Sequence, residues 1–288
     1  MTDLQTPSRR AIIRGLGFAA AGAAAATGAT SAAAQGADPR PLVGKIAIVT
    51  GARNNLGRGF AQRLAQMGAD VVVHHHRPES RAEAEETADL VRAAGARAAV
   101  AHGDLGDSTQ VAALFDVAET EFGGTDILVH CAGTIIKKPV AEFTDAEFER
   151  LVNDNTMTTF YAMREAARRL RDGGRIIAVG TSLTAGAAPG YAGYGGTKAP
   201  VEEFTRMLAK ELGDRRITVN NVAPGPIDTP FFHAAETPQS VAYASGLSTE
   251  GRLGTVADVV PAVANLVLPE SQWTNGQTVF VNGGYLTR

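Results

Sequence analysis

From residue 45 onward the chain alternates between short apolar runs and longer segments with helical spacing. KIAIVTG (45–51) is an apolar run closed by glycine. The segment 56–69 follows, with Leu56, Phe60, Leu64 and Met67 three or four residues apart, the spacing of one helix face. The pattern recurs. Strand-like runs fall at 70–77, 98–105, 126–133, 174–181, 216–225 and 278–284. Helical segments fall at 79–94, 108–122, 145–170, 201–212 and 255–268, and Ser108 is placed to cap the second of these. Runs that are apolar throughout, rather than at alternate positions, suit strands covered on both faces, as in a parallel sheet between helices. The expected fold is therefore α/β: one doubly wound parallel sheet of about seven strands with helices on both faces, in a single domain.

The first 34 residues do not share this pattern. A basic beginning, an Ala- and Gly-rich stretch and then small residues have the order of an export signal. Ser8-Arg9-Arg10-Ala11-Ile12-Ile13-Arg14 resembles the twin-arginine signal, and Ala32-Ala33-Ala34 suits cleavage after Ala34. The expected location is the periplasm or the exterior, or the cytoplasm if the signal is not used. The apolar part is too mild and too interrupted by Gly for a stable membrane span. Residues 35–44, with Pro39 and Pro41, read as a linker, leaving 45–288 as the folded domain. A net charge of -3 and a pI near 6.1 offer nothing to nucleic acid. The single cysteine, Cys131, excludes a disulfide framework or a cysteine-rich metal site within one chain.

Between the first strand and its helix lies TGARNNLGRG (50–59), where a doubly wound fold holds a pyrophosphate on backbone N–H groups and a helix N-terminus. Thr50-Gly51 and Gly57, with Tyr194-x-x-x-Lys198 downstream, resemble the short-chain dehydrogenase/reductase family, whose loop reads T-G-x-x-x-G-x-G on a Rossmann fold. Asn55 stands at the middle glycine; asparagine tolerates a left-handed backbone better than most residues. The resemblance runs from Lys45 to the C-terminus. It implies a dinucleotide held by Gly51, Arg53, Asn55, Leu56 and Gly57, with Asp104 and Leu105 at the adenine. His130-Cys131-Ala132-Gly133 replaces the family's N-N-A-G; Ala132 and Gly133 keep the close approach, and Cys131 reads as a buried strand residue. Pro224, Gly225, Ile227 and Thr229 match the family's P-G-x-I-x-T at the nicotinamide end.

The second strand ends His74-His75-His76-Arg77, with no carboxylate until Glu79. A carboxylate there would repel a 2′-phosphate, whereas Arg77 offers a planar fork to one. This resembles the H-x-H-R-S of pteridine reductases, with Pro78 for the serine. His76, Arg77 and Arg53 thus favour NADP(H) over NAD(H). Alternate strand residues face opposite ways, so the histidine run makes a poor metal site, and no metal is expected.

Tyr194 and Lys198 share one helix face. A nearby ammonium favours the phenolate, so the pair suits a general acid/base. The resemblance implies that Lys198 also binds the nicotinamide ribose and that a hydroxyl after the fifth strand orients the substrate oxygen. Thr181 and Ser182 are both candidates. It also implies that Asn155 holds a water of the proton relay. Asn155 falls on the inward stripe expected from Phe148, Leu151, Val152, Thr159 and Met163. Tyr191 has no lysine four residues on and is set aside. Pro200 suggests that regular helix begins close to it.

Residues 228–252 show no periodicity and, by the resemblance, form a lid. Phe231, Phe232, Tyr243 and Leu247 are candidates for an apolar wall. The expected activity is hydride transfer between NADP(H) and a carbonyl or alcohol. Reduction of a C=N or C=C bond, or nucleotide binding without catalysis, are the alternatives. The family's habit of pairing its long helices implies a homodimer or homotetramer.

Overall fold

The structure, a computed structural model, describes residues 40–287. The signal expected at 1–34 and the linker as far as residue 39 lie outside the described residues. Residues 41–44, expected to end that linker, form a turn that buries Leu42 and ties its N–H to Met67 O at 2.8 Å. The folded body thus begins within the expected linker.

Seven strands form one parallel sheet: β1 (Ile46–Thr50), β2 (Asp70–His75), β3 (Ala98–His102), β4 (Ile127–His130), β5 (Arg175–Val179), β6 (Thr218–Pro224) and β7 (Thr278–Val281). Their order is β3-β2-β1-β4-β5-β6-β7. From β1 the chain builds outward on one side as far as β3, then returns to β1's other side as β4. This reversal opens a crevice beyond the carboxyl ends of β1 and β4, where such sheets bind ligands.

The helices are α1 (Asn55–Gln66), α2 (Arg81–Ala93), α3 (Ser108–Phe122), α4 (Asp145–Leu151), α5 (Thr158–Arg169), α6 (Ala192–Lys198), α7 (Pro200–Glu211), α8 (Pro230–His233), α9 (Pro238–Leu247) and α10 (Val256–Leu266). Period-two alternation along the strands sorts their side chains into two cores. Ala47, Val49, Val71, Val73 and Val129 pack with Phe60 of α1, Val91 of α2 and Val263 of α10. Ile46, Ile48, Val72, Leu128 and Ile176 pack with Phe115 of α3, Met163 of α5 and Val201 of α7. Phe60 and Phe115 are fully enclosed, so trimming either to alanine should cost about 3–5 kcal/mol.

Three local expectations are corrected and one holds. Asp107, not Ser108, caps α3: its side chain accepts from Thr109 N at 2.8 Å. The helix expected at 145–170 is interrupted by a π-helical turn, Val152–Met157. Thr158 and Thr159 donate their hydroxyls back to Asp154 O and Asn155 O, at 2.8 and 2.6 Å, a contact that bends helices. The wider turn changes the phase between α4 and α5. Leu151, Thr159 and Met163 remain buried, but Phe148 turns outward and is 49% exposed. The helix expected to begin close to Pro200 does so: Pro200 is the first residue of α7, where its missing N–H costs least, and the separate α6 starts at Ala192. Finally, the lid is not irregular. Thr229 caps α8, and Thr237 with Ser240 forms a capping box at α9.

Candidate active site

Backbone geometry shapes the β1–α1 loop. Gly51 has φ +63°, and a Cβ on Gly57 would lie 2.3 Å from Gly51 O. Asn55 takes φ +48°, so it reproduces the left-handed turn that the family's glycine supplies. The first turn of α1 carries no acidic residue, which leaves its positive end open to an anion. His74 braces the loop from below. Its Nδ1 accepts from Gly51 N at 3.2 Å and its Nε2 donates to Gly103 O at 2.9 Å. Burial lowers its pKa to about 4, so it stays neutral.

The second brace is His130, where the family has asparagine. Thr50 Oγ1 accepts from Cys131 N at 2.9 Å and Ala132 N at 3.1 Å. Its own proton is then available for His130 Nδ1 at 3.1 Å, which leaves the histidine proton on Nε2 facing Thr158 Oγ1. Burial, then the nearby Lys198 and His74, lowers the His130 pKa to about 3. Cys131 is not the buried strand residue expected. It lies just past β4, half-buried in a cavity wall, and burial pushes its thiol up to about 11.

That cavity has a volume of about 860 Å³ and runs along the carboxyl ends of the strands. Every candidate cofactor and catalytic residue from the sequence lines it except Asn155. At one end stand the exposed His76 and Arg77, beside Asp104 and Leu105. His76 Nδ1 lies 3.8 Å from Asp104 Oδ1. Arg53 also lines this end, but its guanidinium pairs with Glu83 on α2, which also accepts from Asn54 Nδ2 at 3.2 Å. His75 is buried, and its ring lies tilted against that of His102, with ring centroids 5.2 Å apart.

At the other end, α6 presents Tyr194 and Lys198 to the cavity, both largely buried. Burial is the dominant force on both. It raises the Tyr194 phenol to about 12 and lowers the Lys198 ammonium to about 8. This corrects the expectation that the ammonium lowers the phenol. Lys198 Nζ is turned toward Val179 O, to which it donates at 2.9 Å, while Thr181 works to lower the phenol. The two candidate hydroxyls differ in their surroundings. Thr181 acts against the rise of the Tyr194 phenol and accepts from Leu183 N at 3.3 Å, whereas Ser182 Oγ donates to Ala223 O at 2.9 Å and accepts from Asn282 Nδ2 at 3.2 Å.

Asn155, on the π turn, is fully buried behind the cavity wall. Its Oδ1 accepts from Thr134 N at 3.0 Å, and its Nδ2 donates to Thr134 O at 3.0 Å and Thr197 Oγ1 at 3.1 Å. It ties the segment that follows β4 to α6, and one oxygen lone pair is left for a further donor. Gly133 fits between these groups: a Cβ there would lie 2.8 Å from Asn155 Oδ1 and 3.1 Å from Lys198 Nζ. Gly225 is equally constrained, since a Cβ would lie 2.9 Å from Asn282 Cα. Pro224 ends β6, Ile227 bridges to Gly254, and Thr229 leads into the lid. An extended crevice with glycines at its narrow points, a free helix N-terminus and an arginine at one end fits a phosphorylated dinucleotide.

The sequence reading missed part of the substrate wall. Tyr191, set aside there, lines the cavity with its ring centroid 6.3 Å from that of Tyr194, and it bonds Glu236. Lys137 and Tyr285 also line it. Of the lid's apolar candidates, Phe231, Phe232 and Tyr243 reach the cavity, and Phe231 sits edge-on to Tyr194 at 6.5 Å. Leu247 is 38% exposed and is not part of the lining.

Residues 51–286 match a family model described as "Enoyl-(Acyl carrier protein) reductase". A short-chain type dehydrogenase/reductase of Picea abies is 41% identical over 84% of this chain and 93% of its own length. An NADPH-dependent aldehyde reductase-like protein of Arabidopsis thaliana is 39% identical over 86% of this chain and 96% of its own. Among solved structures, a Burkholderia cenocepacia protein named provisionally as a dehydrogenase, with bound NADP, superposes with a TM-score of 0.83. It shares 41% identity over 87% of this chain and 97% of that one. By sequence, fold and site, the chain belongs to the short-chain dehydrogenase/reductase family.

Proposed function

We propose that the protein is an NADP(H)-dependent oxidoreductase that interconverts a carbonyl and an alcohol, with Tyr194 as its general acid/base. The observation that carries this reading is the buried Tyr194 phenol in the wall of the long cavity, which Thr181 also lines, one helical turn from Lys198. When bound, NADP(H) supplies or accepts hydride at its nicotinamide ring. The protein's own part is to hold the substrate oxygen and move one proton. A phenol raised to about 12 keeps its proton at neutral pH, which suits donation to a carbonyl oxygen as that oxygen becomes an alkoxide. Lys198, near 8, is mostly charged at pH 7 and opposes the negative charge left on the phenolate. Thr181 orients the substrate oxygen beside the phenol, and Asn155 holds the β4 loop and α6 at a fixed separation.

NADP(H) is preferred through Arg77 and His76, which lie at the cavity end where NAD-selective members carry an acid. The relatives named with NADP or NADPH support the same preference. The pteridine-reductase-like pattern of 74–77 and the family model's description support a second reading, reduction of a C=N or C=C bond. NADPH oxidation against a panel of aldehydes, ketones, enones and dihydropteridines separates the two. No turnover on any member, with NADPH binding intact, would leave only a nucleotide-binding role.

The protein is further proposed to leave the cytoplasm by the twin-arginine route through residues 1–34, on the pattern Ser8-Arg9-Arg10 and the small residues before Gln35. Replacing Arg9 and Arg10 with Lys should retain the uncleaved chain in the cytoplasm. An unmodified chain found there and starting at Met1 would refute export. A homodimer or homotetramer is supported by exposed Phe148, Phe160 and Met207 on α4, α5 and α7, and light scattering tests it.

A further inference from the structure

We propose that Glu236, Lys137 and Tyr191 form a latch that holds the 230–247 segment against the body of the protein, and that Glu236, as a positioning residue, thereby sets affinity for the carbonyl substrate. The proposal rests on the reading of the cavity as the site of carbonyl reduction.

Glu236 lies between α8 and α9, on a segment that buries little else. Phe232 is the single buried residue of α8, and α9 has none. Yet the Glu236 side chain is only 3% exposed. A carboxylate taken this far from water is costly unless its oxygens are filled. Both are. Lys137 Nζ donates to Oε2 at 2.5 Å, and the Tyr191 hydroxyl donates to Oε1. Lys137 Nζ also stands 4.9 Å from the centroid of the Tyr191 ring, so its charge faces both a carboxylate and an aromatic face.

The three residues come from three parts of the chain. Lys137 is on the segment after β4, Tyr191 immediately precedes α6, and Glu236 is on the lid. The lid's backbone ties to the body lie at its ends: Asp228 N to Gly254 O at 2.7 Å and Thr249 N to Gly283 O at 2.8 Å. These fix where the segment leaves and rejoins the body. Its middle is held by Phe232 and by the Glu236 cluster. All three latch residues line the cavity that contains Tyr194, and Tyr191 and Phe231 flank the Tyr194 ring. A closed latch therefore completes the substrate wall. It leaves the distant His76–Arg77 end untouched.

The test compares wild type, Glu236→Gln, Lys137→Met and the double variant. It reads steady-state kinetics on a carbonyl substrate, NADPH affinity by fluorescence, and amide hydrogen exchange over 238–247. Losing one charge-assisted bond of a buried pair should raise substrate KM about tenfold or more, with kcat and NADPH Kd nearly unchanged. Exchange over 238–247 should quicken in each single variant. Because the pair acts as a unit, the double variant should be little worse than either single one. Unchanged KM and unchanged exchange in both single variants would overturn the proposal. Faster exchange without a rise in KM would overturn the link to substrate. If the wild type turned over no carbonyl, the functional reading would fall, while the exchange measurement would still decide whether the latch exists.

Discussion

Substituting His130 by the family's asparagine should make the protein more tolerant of acid, by an amount that follows from its surroundings. His130 is enclosed, with Nδ1 facing the Thr50 hydroxyl and Nε2 facing Thr158, and its pKa falls from 6.5 to about 3. Above pH 6.5 the residue is neutral in both folded and unfolded chains and does not affect the balance. Below pH 6.5 the unfolded chain takes up a proton that the native state refuses, so stability is lost as pH falls toward 3. Between pH 8 and pH 5 this amounts to about 1.5 pKa units, or about 2 kcal/mol at 1.36 kcal/mol per unit. His74, lowered to about 4, should add a loss of about the same size over that interval. Asparagine cannot titrate and can still accept from the Thr50 hydroxyl. Urea unfolding of cofactor-free protein, followed by circular dichroism at equal protein concentration, would measure both proteins at pH 8 and pH 5. The pH-dependent loss in His130→Asn should be smaller than in wild type by about 2 kcal/mol. Identical losses would show that His130 is not held neutral, and would refute the proton assignment at the Thr50 hydroxyl.

Arg77→Ala should narrow the preference for NADPH over NADH about tenfold or more, since a charge-assisted bond is worth about 1.5–3 kcal/mol. Titration of both cofactors checks it, and equal affinities in the unmodified protein would remove this account of the β2 end. Thr181→Ala should lower kcat by about 10²–10³, the usual loss for a group that orients or stabilises a reacting oxygen. Ser182→Ala should instead lower the melting temperature through the lost bonds to Ala223 O and Asn282, with a smaller effect on kcat.

The sheet was legible because most strands are apolar on both faces and most end at a glycine or turn, signals that survive without tertiary information. The glycine framework of the candidate cofactor crevice was legible for a related reason. Gly51, Gly57, Gly133 and Gly225 stand where a Cβ would meet neighbouring backbone or the Asn155 and Lys198 side chains, so the constraint is written into residue type. The π turn was signalled only by the adjacent Thr158 and Thr159, whose hydroxyls bond back along the helix. Periodicity assumes 3.6 residues per turn and therefore placed Phe148 inside. Glu236 and Lys137 are 99 residues apart, and neither stands in a recognisable pattern. Their meeting depends on how the lid lies across the strand ends, which local sequence does not encode. The Tyr194–Lys198 spacing correctly put both groups in one cavity. It did not reveal that burial would dominate both groups, because spacing says nothing about where Nζ points.

The central claim is that Tyr194 donates the proton in hydride transfer to a carbonyl. The most direct measurement is single-turnover NADPH oxidation by Tyr194→Phe on a substrate that the wild type reduces, paired with NADPH affinity by fluorescence. Phenylalanine keeps the ring between Tyr191 and Phe231 and removes only the hydroxyl. The account predicts that turnover falls by about 10²-fold or more while NADPH affinity stays nearly unchanged. A Tyr194→Phe protein that keeps most of its single-turnover rate would contradict it.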